Sequence, residues 1–107
     1  MITLFRAVSQ QEKENYDAHD AFRIGRNTLE AKQFFKTRVA VIAFVSSAVD
    51  QNYDPAYTHL MIVTVDDDNF DIIQGTRKLD GYDAEHVHED DLGAFNNCVI
   101  FVSQEVL

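Results

Sequence analysis

Residues 34–47, FFKTRVAVIAFVSS, decide how this chain folds, because they read in two ways. In the first, they lie inside one long amphipathic helix. Asn27 followed by Glu30 fits an N-cap with an acid at N3, and Phe35, Val39, Ile42, Val45 and Val49 recur near helical spacing. In the second, AKQFF (31–35) is a short strand, Thr37 is an N-cap, and RVAVIAFVSSAV (38–49) is a mostly buried helix whose β-branched residues run against helix propensity. Local rules leave both open.

Toward the N-terminus, ITLFRAV (2–8) is a short β-rich run. It ends at Ser9, and Ser9-Gln-Gln-Glu12 fits a capping box that opens a helix at about residue 10. That helix, QEKENYDAHDAF (11–22), is polar nearly all round, with Tyr16, Ala18 and Phe22 as its anchors, which predicts a short peripheral element.

Toward the C-terminus, the turn-rich DQNYDPAYT (50–58) leads into HLMIVTV (59–65), a continuously apolar, β-branched strand. FDIIQ (70–74) pairs with it across the acidic turn DDDN (66–69) in this reading, and GTRKLDGYD (75–83) is a loop before the strand AEHVH (84–88). EDDLGAFNN (89–97) reads as a short helix with acids at its positive end, and CVIFVSQEV (98–106) as a closing core strand. Strands that follow one another late in the chain favour an α+β sheet over a doubly wound one. The expectation is a single α+β domain over residues 1–107, with two or three helices flanking a mixed, mainly antiparallel sheet.

Composition bounds the function. Hydrophobic residues make up 46% and aromatic residues 11% of the 107 residues, which sets the chain apart from disordered sequences. The net charge of −9, from 18 acids against 9 scattered bases, repels a phosphate backbone and argues against direct nucleic-acid binding. No run approaches ~18 apolar residues and the first ten residues lack a basic leader pattern, so the expected location is the cytoplasm, with no membrane contact. The single cysteine, Cys98, sits in the apolar run CVIFV and reads as a buried, inert thiol.

Candidate chemistry is sparse. Arg6, a guanidinium in an otherwise apolar strand, must find an anion, a backbone partner or the sheet edge. In EHVHE (85–89), His86 and His88 are two apart in a strand and could share a metal given a third ligand such as His59 or Asp80, but the pattern fixes no such geometry and no metal site is assigned. DDDN lacks the alternating ligands of a calcium loop, and there is no phosphate-binding glycine loop, G-x-S-x-G or C-x-x-C.

Several short motifs nonetheless fall in a familiar order: LFRAVSQQE, EAKQFFKTRVAVIAFV, HLMIVTV and LDGYDAEHVHEDDLGAFNNCVIFV. Together they resemble the small bacterial and phage ADP-ribosyltransferase-like domains, in which an opening strand carries a basic residue and a Lys-x-Phe-Phe-like strand runs into a helix. A late Leu-x-x-Phe-Asn helix precedes the last strand there. The resemblance implies that residues 34–47 break at Phe35–Thr37 into strand, cap and helix. It also implies a split, curved sheet that cradles NAD for transfer of ADP-ribose to an acceptor. Arg6 and Thr37 would then bind NAD, and Glu85 would be the catalytic carboxylate, with Asp80 a weaker candidate. The Ser-Thr-Ser strand and Glu-x-Glu loop of that group have no counterpart here.

Two functions of different class follow. One is the NAD-dependent enzyme. The other is a non-enzymatic acidic interaction module, such as an inhibitor or antitoxin-like protein, whose carboxylates in 66–71 and 80–91 meet a basic partner. Separately, CVIFVSQEVL (98–107) offers an edge for pairing with a second copy as a homodimer.

Overall fold

A computed structural model describes residues 1–23, 31–66, 76–79 and 82–107. Strand β1 (Ile2–Ser9) runs into helix α1 (Gln10–His19), and β2 (Ala31–Phe35) into α2 (Arg38–Asp50). Then come β3 (Tyr57–Val65), β4 (Thr76–Leu79), β5 (Tyr82–His88), a 3₁₀ turn (Glu89–Asp91), helix α3 (Leu92–Cys98) and β6 (Val99–Val106). The fold is α+β, as expected. The six described strands lie in the order β4-β5-β2-β1-β3-β6, and every pairing among them is antiparallel, where a mixed sheet was expected.

Residues 34–47 take the second of their two readings. A helix through Phe34 and Phe35 would turn the two rings only about 100° apart, whereas a strand sends them to opposite faces. Each face has a core waiting: Phe34 packs with Leu4, Val8, Phe22, Met61 and Phe95, and Phe35 with Ala7, Ala40, Val41 and Leu60. Thr37 then stands in extended backbone, and its hydroxyl accepts from the Ala40 amide at 3.1 Å to start α2. The sheet is thus clad on both sides, by α2 on one and by Phe22 and α3 on the other. α2 is less buried than its apolar sequence predicts: Ala40 and Val41 are buried, whereas Val39, Ile42 and Val49 face outward.

Other boundaries move. α1 ends at His19 on a left-handed Asp20, three residues short of Phe22, which leaves the helix and is 2% exposed in the core. Asn96 fixes it there, donating to the Phe22 carbonyl and accepting from its amide, both at 2.9 Å. The stretch read as the loop 75–83 contains β4, whose Leu79 pairs with Tyr82. The sequence between them, Asp80-Gly81, is among the dipeptides most favoured in two-residue hairpin connections, a signal that the loop reading passed over. The other expected hairpin strand, 70–74, lies outside the described residues, as do Asn27 and Glu30 of the one-helix reading. β6 is an edge strand rather than a core strand, and Cys98 belongs to α3. Its thiol is buried and donates to the Ala94 carbonyl at 3.3 Å, and burial, with the nearby Asp66 charge, pushes its pKa up.

The junction between β1 and β2 is the weak seam of the sheet. β1 pairs with β3 along eight positions, while its pairing with β2 is a single position, Phe5 with Phe35. Beyond that position the two strands part, and charged side chains fill the gap.

Candidate functional site

Arg6 follows Phe5 at this seam. It shares its face of β1 with Leu4 and Val8, two residues away on either side, so its guanidinium enters the core side of the sheet and has to be neutralised there. It finds two of the partners expected of it. Nε and Nη2 donate to the two carboxylate oxygens of Glu12 at 2.6 and 2.7 Å, a bidentate fork. Nη1 donates to the Gln33 carbonyl at 3.0 Å, taking the place of a strand-to-strand bond across the seam. The guanidinium carbon also lies 5.6 Å from the centre of the Phe34 ring, within cation–π range.

Glu12 is half of the capping box that Ser9-Gln-Gln-Glu12 spells. The Ser9 hydroxyl accepts from the Glu12 amide at 3.3 Å, but both Glu12 carboxylate oxygens are drawn to Arg6 instead of closing the box. A second cation shares it: the Lys32 ammonium, two residues before Phe34, is 3.4 Å from Glu12 Oε1 and its side chain is only 3% exposed. Burial pushes the Glu12 carboxyl up, but the charges and hydrogen bonds of Arg6 and Lys32 together hold it below its ordinary value. Lys32 is pushed down, first by burial and then by Arg6, against the opposing pull of Glu12. The cluster carries two positive charges on one negative in a mostly buried site.

The candidate site residues are placed as follows. Phe34, under Arg6, pairs in register with Glu85 of β5, so β2 alone separates the strands bearing Arg6 and Glu85. The backbone of Glu85 is described but its side chain is not, and Asp80 lies outside the described residues. Thr37 caps α2 beyond the end of β2, its hydroxyl occupied by the Ala40 amide. For the histidines, His88 is exposed and its Nδ1 accepts from the Asp90 amide at 3.3 Å, with the Asp90 carboxylate 3.5 Å away; the side chain of His86 is not described. His59 sits on β3, three strand spacings or ~14 Å from β5, too far to complete a metal site with His86 and His88. Among the described residues no three His, Cys, Asp or Glu side chains gather as metal ligands would.

Lys32 and the dual role of Glu12 escaped the sequence reading. A signal was present: Lys32 alternates with Phe34 along β2 just as Arg6 alternates with Leu4 and Val8 along β1, and a charge in phase with core residues requires a buried counter-ion. Nothing local says that the two cations share one carboxylate.

Parts of the two acidic segments lie at opposite ends of α3. The Asp66 amide donates to the Cys98 carbonyl at 2.8 Å, which ties residue 66 to the C-terminal end of α3. Glu89–Asp91 lead into the N-terminal end of the same helix, seven residues or about 10 Å away. The Asp90 side chain there is 86% exposed.

No protein family model matches this chain, and no match was found among curated proteins or solved structures.

Proposed function

We propose that this chain is a non-enzymatic acidic interaction module that engages a basic protein surface through its acidic segments beside α3, with the exposed Asp90 carboxylate at the N-terminal end of that helix as the described contact. The observation that carries the reading is that residue 66 and residues 89–91, far apart in sequence, are anchored to opposite ends of one seven-residue helix. The cations that could offset this charge are partly spent elsewhere: Arg6, Lys13, Lys32 and Arg38 each already face a carboxylate within the chain. The surplus of 18 acids over 9 bases then acts outward, attracting a basic partner over roughly a Debye length, about 10 Å at 0.1 M salt.

Titration with a fluorescent arginine-rich peptide tests it. The expected result is saturable binding that weakens about tenfold between 50 and 300 mM salt, and that weakens again in Asp90→Lys. Binding indifferent to salt and to Asp90→Lys, or no binding at low salt, removes the reading.

A second reading, an ADP-ribosyltransferase-like domain that binds NAD, draws support from the register that puts Arg6 and Glu85 on either side of Phe34. In it, Arg6 and Thr37 hold NAD and Glu85 stabilises the positive charge that develops as the nicotinamide bond breaks. Arg6 would first have to exchange its bidentate Glu12 partner for a phosphate, and for that reason this reading ranks second. Calorimetry with NAD separates the two: heat lost in Arg6→Ala supports the NAD reading, and no heat at millimolar NAD removes it.

A further inference from the structure

We propose that β6 is an assembly edge through which this chain pairs, antiparallel, with a second copy of itself to continue the sheet. Every open sheet has two edges whose unpaired N–H and C=O groups can template another strand, and proteins blunt the edges they keep free with shortness, positive charge or proline. The two edges here are treated differently. β4 is four residues long, TRKL, and carries Arg77 and Lys78. β6 is eight residues long, VIFVSQEV, with no proline, no glycine and no basic residue.

The side chains on β6 point the same way. Phe101 is 63% and Val106 80% exposed, both large apolar groups on a strand that has β3 on one side. A β-bulge opposite Val65, where Val65 pairs with Val99 and Thr64 with Phe101, is confined to the start of the strand and leaves Phe101–Val106 as a regular edge about 20 Å long. Phe101 pairs with Thr64 on the face that α2 covers, and Arg38 at the start of α2 reaches Glu105 at 2.7 and 3.2 Å. That ion pair brings the N-terminal end of α2, where Val39 and Ile42 are exposed, beside the same edge.

Charge selects the occupant. A chain of net charge −9 associates with a copy of itself only where like charges do not meet. Glu105 is the one charged residue of β6, and Arg38 neutralises it. An edge whose own charge is paired, whose neighbour Asp17 is held by Lys13 and Gln104, and which is apolar at Phe101, Val102 and Val106 is poorly matched to a basic partner and better matched to its own twin. The edge begins beside Asp66 at one end of α3, but the pairing is read from oligomeric state and the functional reading from binding of a basic peptide, so the two are tested separately.

Sedimentation velocity on the full chain, from about 1 to 200 µM at physiological salt, tests the proposal. The expected result is a concentration-dependent rise from monomer to dimer, with Phe101→Lys and Val106→Lys each weakening the dimer at least tenfold. Both variants should keep the wild-type circular dichroism and melting temperature, because both side chains are already largely exposed. Val49→Lys, on the outer face of α2, is expected to leave the dimer intact. A chain monomeric throughout the range overturns the proposal, as does a dimer indifferent to both strand variants or one broken by Val49→Lys alone.

Discussion

Glu12 holds two cations, and its substitution and that of Lys32 are expected to have opposite consequences. Glu12→Gln leaves Arg6 and Lys32 facing each other in a mostly buried site, and is expected to cost about 2–3 kcal/mol in urea unfolding, somewhat less than for a fully buried pair because the Glu12 side chain is 18% exposed. Lys32→Met removes the desolvated ammonium while the Arg6–Glu12 fork stays neutral, so it is expected to be neutral or stabilising by about 1 kcal/mol. Equal losses from both would mean that Lys32 is a required partner rather than a tolerated one. The pH dependence follows from the same carboxyl. Its pKa in the fold lies below the ordinary 4.5, so its stabilisation is complete above that value and is lost as pH falls through the folded value. Acid titration of the unfolding midpoint should show this decline in the wild type and a shallower one in Glu12→Gln. That Arg6 needed a partner or a sheet edge was legible, because a guanidinium between Leu4 and Val8 cannot be left uncompensated in the core. That the partner was Glu12, six residues on, was hidden behind a capping motif that the residue satisfies only with its amide.

Among the elements, α2 depends most visibly on its first residue. Its β-branched sequence propagates a helix poorly, so a good start matters more, and Thr37 supplies it. Thr37→Ala is expected to cost about 1 kcal/mol and Thr37→Ser little. A loss in NAD binding from Thr37→Ala without loss of stability would instead give its hydroxyl a ligand to hold. Ser9 before α1 and Thr37 before α2 could both be picked out from their types and offsets, and both hydroxyls accept the expected amide. Strands β1, β3 and β5 were legible for a related reason: apolar, β-branched or alternating runs leave few other uses for their residues. β4 was legible only through the Asp80-Gly81 signal after it, because Thr-Arg-Lys-Leu itself has no apolar periodicity, and it stands as a strand through its pairing with β5.

For the whole molecule, the excess of acids is a standing repulsion that added salt relieves. Raising salt from about 10 to 200 mM is expected to raise the melting temperature, and a fall would place attractive pairs such as Arg38–Glu105 above the net charge in importance. Among the described residues no helix is long and apolar enough to cross a membrane. By itself the sequence determined the α+β class, the order of most elements, the start of α1 and the need of Arg6 for a partner or an edge, since each depends on spacing or side-chain type within a few residues. Only the tertiary structure decided that Phe34 and Phe35 face two separate cores, which settled residues 34–47. It alone decided that β1 and β2 meet at a single pair with Arg6, Glu12 and Lys32 in the opening, and that β6 lies at an edge. Those outcomes depend on which strand pairs with which, and local sequence carries no record of its partner across the sheet.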